Sequence, residues 1–278
     1  MGKLVDGTDG IPAEEVGSWV DEKLFIVTEY IKLSSGARRK FIGPGNAGAT
    51  YIDLFCGPGQ AKIRDSTRHV DGAAVAAWKA ARDRGSPFTA MYIADKDAER
   101  RRYCATRLRA LSAPVEEVSG TATEAARAIA ATLPAHALHF AFLDPYSLGA
   151  LSFELLRCLA ALRRMDILVL ISAMDLFRNI EQQSADDDAR EFDDFAPGWR
   201  EQVPLNLPQS ERRAKVMEYW ARCVAEQLGL NASSEMHAVK NRVNRLIYWL
   251  LLLHRHTLAK KFWNIVLKAR PQTTGDLF

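Results

Sequence analysis

The residues with the clearest chemical potential run Asp53-Leu54-Phe55-Cys56-Gly57-Pro58-Gly59. An apolar stretch over residues 50–55 is broken there by two glycines flanking a proline. Glycine lets the backbone approach a ligand because no Cβ intervenes, and an acid just ahead of the turn can face a cationic amine. A second acid, Asp95, follows the apolar stretch 88–94 and precedes Lys96 and Asp97. Carboxylate oxygens at the end of such a strand can accept hydrogen bonds from both hydroxyls of a ribose. A third acid opens Asp144-Pro145-Tyr146, directly after the apolar residues 138–143. The acid and nearby backbone carbonyls can accept from a planar NH2 group, and the ring can stack on an unpaired base. Thr121, after Ser119-Gly120, lies where an adenine contact would fall.

These groups meet only if the intervening elements bring them together. Strands are expected at 50–55, 88–94, 115–118, 138–143 and 166–171. Helices are expected at 19–33, from the cap Asp71 to 84, from 97 to 111, from the Thr121…Glu124 capping box to 133, and from Ser152 to 162. Strands without polar alternation, separated by helices, imply a parallel sheet covered on both faces. Its ligand crevice lies at the carboxyl ends of the strands, where all three acids stand.

After residue 171 the rhythm changes. Residues 182–208 contain Asp186-Asp187-Asp188 and the acids from Glu191 to Asp194, and read as an insertion or lid. A helix at 210–228 stopped by Gly229, an antiparallel hairpin of strands 236–240 and 246–253, and a helix at 257–268 complete the chain. Residues 1–17 read as loose, 60–70 as a polar loop, and 271–278 as a disordered tail. The chain thus divides into a helical segment 1–49, a cofactor-binding core 50–181, an acidic and helical insertion 182–234, a completing hairpin and helix 235–270, and the tail.

Competing ligands can be weighed on the same residues. A dinucleotide fingerprint G-x-G-x-x-G would need glycine where Lys62 stands, and the P-loop spacing G-x-x-x-x-G-K-[ST] is absent. Asp95 lies further from the glycine loop than the usual ~20 residues, the excess falling in 60–70. An acid before a glycine turn suits the methionine ammonium of S-adenosylmethionine and suits a pyrophosphate poorly. The expected cofactor contacts are Asp53, Phe55, Cys56, Gly57 and Gly59 for the methionine part, Asp95 and Lys96 near the ribose, Thr121 near the base, and Asp144 near the sulfonium. Asp144, Pro145 and Tyr146 would orient the acceptor, with no metal required. The plainer alternatives are a turn that merely needs glycines, a solvated Asp95, and an Asp-Pro turn with Tyr146 packed as core.

Composition narrows the class. With 278 residues, 48% of them hydrophobic, the chain can bury one large core. A net charge of +3 neither requires nor excludes nucleic acid, because a local patch matters more than the total. Arg38-Arg39-Lys40, Arg212-Arg213 and Lys260-Lys261 could join into a phosphate-contacting surface, and Arg100-Arg101-Arg102 should face solvent. The four cysteines stand far apart, which disfavours a disulfide framework or structural zinc. His254 and His256 lack a third ligand nearby and read as a polar strand end. No signal-like apolar segment opens the chain and the apolar run 246–253 is too short for a membrane span, so a cytoplasmic location without membrane contact is expected.

The ordered set Tyr51-Ile52-Asp53-Leu54-Phe55-Cys56-Gly57-Pro58-Gly59, Asp71-Gly72 and Asp144-Pro145-Tyr146 resembles the three-Cys-motif partner protein family, within the class I S-adenosylmethionine-dependent methyltransferase superfamily. The entry segment with Trp19, Lys23 and Tyr30, and the C-terminal part with Lys261-Phe262-Trp263, are similar too, so the resemblance spans roughly residues 19–266. It implies a Rossmann-like, seven-stranded, mostly parallel α/β sheet with an antiparallel C-terminal hairpin. It also implies a bacterial or phage protein paired with a separate cysteine-motif protein. Two departures stand out. Cys56-Gly57 replaces the family's usual Ala-Gly, and Asp144-Pro145-Tyr146-Ser147 replaces Asp-Pro-Phe-Gly. The tyrosine moves the motif toward enzymes acting on amino groups of adenine or guanine. The expected function is methyl transfer to an amino nitrogen, a nucleic-acid substrate included. The alternatives are an inert accessory partner of the cysteine-motif protein, or a protein or small-molecule methyltransferase.

Overall fold

A computed structural model describes residues 2–185, 192–233, 235–241, 244 and 246–269. Its elements run β1 (Leu4–Val5), β2 (Ala13–Val16), α1 (Val20–Leu33), α2 (Ser35–Arg39), β3 (Ala49–Asp53), β4 (Gln60–Ile63), β5 (His69–Asp71), α3 (Ala73–Asp83), β6 (Ala90–Ala94), α4 (Ala98–Ala110), β7 (Val115–Val118), α5 (Ala122–Thr132), β8 (Leu138–Leu143), α6 (Phe153–Ala160), β9 (Met165–Ser172), α7 (Ala173–Ala185), α8 (Trp199–Gln202), α9 (Gln209–Leu228), β10 (Asn231–Ala232), β11 (His237–Lys240), β12 (Leu246–His254) and α10 (Thr257–Ala269).

The main sheet has the order β7-β6-β3-β8-β9-β12. The first five strands are parallel, and β12 returns antiparallel to β9. β10 and β11 both pair with β12, so the expected seven strands are joined by a two-residue eighth. This is a doubly wound, Rossmann-like α/β sheet whose antiparallel hairpin strand is inserted next to the fifth parallel strand. Helices α1, α3, α4 and α10 bury one face, and α5, α6, α7 and α9 the other. Burial on both faces explains why the central strands read as unbroken apolar runs. No described helix is long and apolar enough to cross a membrane.

Register aligns the acids. Asp53 pairs with Ile93 on β6 and with Phe142 on β8. Asp95 and Asp144 each lie two residues beyond those partners, so all three acids stand at one end of three adjacent strands. Expected caps are present at Asp97, Thr121 and Ser152, and Gly229 closes α9 with φ +62°.

Three expectations need correction. Residues 4–16 and 60–71 are not loose. They form a second, four-stranded sheet of order β1-β2-β4-β5. β4 alternates, with Ala61 and Ile63 buried between Gln60 and Lys62, but over four residues only, and these strands gain their partners through distant pairings such as Glu14 with Ala61. Asp71 does not cap α3. It ends β5 and binds Lys79 at 2.7 Å, while Gly72 occupies the cap position. Residues 192–203 are part of the core rather than a lid: Phe192, Phe195 and Trp199 are fully buried, and Phe195 stacks on Trp220 at 5.2 Å. The acidic residues 186–191, part of the 241–244 turn, and the tail 271–278 lie outside the described residues.

Opposite the crevice, the Tyr30 hydroxyl donates to Asp166 Oδ2 at 2.8 Å. Burial pushes the Asp166 carboxyl up to about 6, against the bond from Tyr30. A carboxyl raised on folding holds its proton better in the native state, so its stabilising contribution is lost as pH rises through that value. The contribution of Asp166 to wild-type stability should therefore fall between pH 4 and pH 6. Asp166→Asn should flatten that slope and gain roughly 2 kcal/mol relative to wild type at pH 7, as read from denaturant midpoints across the pH series.

Candidate functional site

The turn after β3 is shaped by carboxylates. Asp53, 1% exposed, accepts from the Phe55 N–H at 3.1 Å and from the Tyr51 hydroxyl at 3.3 Å. Burial pushes its carboxyl up to about 7, with nearby Asp144 acting in the same direction and the Phe55 N–H opposing. Gly57 and Gly59 have φ of +57° and +83°, a region that side-chain-bearing residues seldom adopt. A Cβ on Gly59 would also come within 3.0 Å of the Cys104 Cα. The Gly57 N–H reaches across to Asp95 Oδ2 at 3.0 Å, and the Asp97 N–H binds Asp95 Oδ1 at 2.9 Å. Asp95 thus braces the glycine loop through Oδ2 and its own turn through Oδ1, and burial raises its carboxyl despite those two bonds. The Cys56 thiol is buried and pushed well up by that burial, which leaves it a packing group and a poor nucleophile.

A cavity of about 700 Å³ opens at these strand ends. Phe55, Gly57, Asp95, Lys96 and Thr121 line it, together with Asp144, Pro145 and Tyr146. Cys56 and Gly59 line a smaller space of about 70 Å³ that shares Phe55, Gly57 and Asp144 with the first. Asp53 lies beneath the loop and lines neither, so it acts on the site through its field. Thr121 makes the full capping box with Glu124. Tyr146 is not core: its side chain is 51% exposed, and Lys96 Nζ sits 3.7 Å from its ring centroid. Together Lys96 and Tyr146 form one rim of the cavity.

Several residues placed at the cavity or its loop escaped sequence reasoning. Lys23 entered only through a resemblance, yet its Nζ lies 2.5 Å from Asp144 Oδ2 inside the cavity. Glu14, from the small sheet, lines the same space and binds Arg100 at 2.8 Å. Arg107 binds Asp9 through two nitrogens and donates to the Pro58 carbonyl at 2.5 Å, tying the N-terminal segment onto the glycine loop. Arg100 and Arg107 are seven residues apart on α4 and share a face, a spacing visible in the sequence once a partner is suspected.

Two basic clusters are corrected here. Arg100 is buried against Glu14 and Arg101 pairs with Glu117, so that run does not mostly face solvent. Arg38 is 2% exposed and binds the Ser86 and Ile31 carbonyls, which takes it out of any phosphate-contacting surface. A sequence run of basic residues says nothing of which side chain the helix turns inward.

No family model matches the chain, and no curated relative matches it. Solved structures show distant similarity. A protein of Legionella pneumophila is 9% identical, with a TM-score of 0.48, over 88% of this chain and 91% of its own. An O-methyltransferase from Bacillus cereus in complex with SAH is 12% identical, with a TM-score of 0.43, over 82% and 80%. An SAH-bound methyltransferase from Podospora anserina is 10% identical, with a TM-score of 0.40, over 80% and 75%.

The brace through Asp95 is open to test. Asp95→Ala leaves the Gly57 and Asp97 N–H groups without their acceptor and should cost about 2–4 kcal/mol. Asp95→Asn, which keeps one carbonyl oxygen, should cost less. Equal stability of both variants and wild type in urea denaturation would remove the brace.

Proposed function

We propose that the chain is an S-adenosylmethionine-dependent methyltransferase. The observation that supports it most is the convergence of three adjacent strand ends, with their acids in register, on one cavity of about 700 Å³. That volume falls within the usual range for a cofactor-sized ligand. The adenosine would lie toward Asp95 and Thr121, and the methionine end toward the glycine loop and Asp144. A ligand with a sulfonium and an ammonium is favoured by a cavity whose walls hold Glu14 and Asp144, with Asp53 buried beneath the loop and acting through its field. The cofactor supplies the transferable methyl group. The protein's part is to hold an acceptor in line with it, which is chiefly a positioning effect.

The acceptor we propose is an amino nitrogen on a planar group, a nucleobase among the candidates. Asp144 Oδ1 has no hydrogen-bond partner among the described residues and can accept from the NH2 group. The exposed face of Tyr146 offers a stacking surface beside it. A radiolabelled methyl assay on DNA, RNA, total protein and free bases tests this; label confined to hydroxyl or carboxyl acceptors would defeat the nitrogen assignment. Asp144→Asn should lower methyl transfer about 100-fold in that assay, and by removing the charge that offsets Lys23 it should weaken the cofactor as well.

Calorimetric titration with S-adenosylmethionine tests the assignment as a whole, and absence of binding at high protein concentration would end it. A pH arm adds a signature. The ligand's cations favour ionised Asp53, whose carboxyl is held up to about 7 by burial. Below that pH a proton must leave on binding, so affinity should rise as pH climbs from 6 to 8. In Asp53→Asn that dependence should vanish.

A further inference from the structure

Lys23 places an ammonium inside the cavity, against Asp144. It is the fourth residue of α1, and its side chain, only 15% exposed, lines both the large cavity and the smaller one under the glycine loop. One of its three N–H donors goes to Asp144 Oδ2, and among the described residues no second acceptor binds it. Two donors therefore remain for a ligand, at the point where the glycine loop meets the end of β8.

The charge pattern of the proposed cofactor limits what those donors can meet. S-adenosylmethionine carries two positive groups, the sulfonium and the α-ammonium, and one negative group, the α-carboxylate. An ammonium placed beside either cation would weaken binding. Beside the carboxylate it would strengthen binding through a charge-assisted hydrogen bond. The adenosine end is taken up toward β6 and β7 by Asp95 and Thr121, so the amino-acid end falls on the Lys23 side. Asp144, held against the lysine, offsets its charge toward the sulfonium.

We infer that Lys23 is the receptor for the α-carboxylate of the ligand's amino-acid end, and that it couples cofactor binding to acceptor positioning because the same ammonium holds Asp144. The inference rests on the cofactor assignment above and adds to it a residue that selects for an intact amino-acid tail. A bound carboxylate fixes Lys23, and Lys23 fixes the oxygen pair of Asp144 that faces the acceptor. A ligand without the carboxylate would leave that lysine mobile.

Two probes separate this from a purely structural role. S-adenosylhomocysteine keeps the amino-acid tail, and 5′-methylthioadenosine has the same nucleoside without it. Calorimetry on the full chain should find the first bound more tightly by wild type. Lys23→Met keeps the length of the side chain and removes its charge. It should weaken S-adenosylhomocysteine about 10- to 100-fold, the range for one hydrogen bond to a charged group, and leave 5′-methylthioadenosine within about twofold. Lys23→Arg should restore most of the lost affinity. Retained 5′-methylthioadenosine binding also reports that the variant is folded. Unchanged S-adenosylhomocysteine affinity in Lys23→Met, or an equal loss for both ligands, would overturn the role of Lys23 while leaving the cofactor assignment standing. Failure of wild type to bind either probe would instead bring down the cofactor assignment, and this inference with it.

Discussion

Of the backbone N–H groups leaving the carboxyl end of β3, that of Cys56 still donates to the Ala94 carbonyl of β6 at 3.0 Å, and two carboxylates take those on either side. Asp53 receives the Phe55 N–H and Asp95 receives the Gly57 N–H. A buried donor left unpaired would cost about 1–3 kcal/mol, so the loop holds its shape only while both acids stay in place. The loop's own carbonyls are taken as well: Arg107 accepts the role at Pro58 by donating to its oxygen, and the Gly72 N–H donates to Gly59. The glycines are needed because this path runs through positive φ and passes close to Cys104.

The same arrangement sets the electrostatics. Asp53 sits in a low-dielectric pocket beside Asp144, which keeps its proton to about neutral pH. Lys23 balances Asp144 directly, and Arg100 balances Glu14. The acids that line the site are thus set against basic partners from α1 and α4. Arg107 extends the linkage outward. By holding Asp9 along with the Ile11 and Pro12 carbonyls, it makes the small N-terminal sheet one wall of the site.

Much of the large sheet was legible because its cause is local. Strands β3, β6, β8 and β9 are apolar runs ended by turn residues, and the intervening helices announce themselves with Asp97, the Thr121 box and Ser152. The acids at the strand ends followed from that pattern. The small sheet was not legible. Strands of sequence Leu4–Val5, Ala13–Val16 and His69–Asp71 have no periodicity to read, and they form only because the rest of the fold places their partners alongside. Asp71 shows the same limit: a good capping residue was drawn into a strand by its neighbours and by Lys79.

The sequence by itself determined which strand ends carry acids and where the chain must turn, because hydrophobic runs, glycine positions and caps act over a few residues. Only the tertiary structure decided what each acid does. Whether Asp95 faces a ligand or a backbone N–H, whether Tyr146 is core or rim, and that Lys23 meets Asp144 are matters of contact between residues up to 121 positions apart. Such contacts depend on register and packing, and a linear pattern of residue types contains neither.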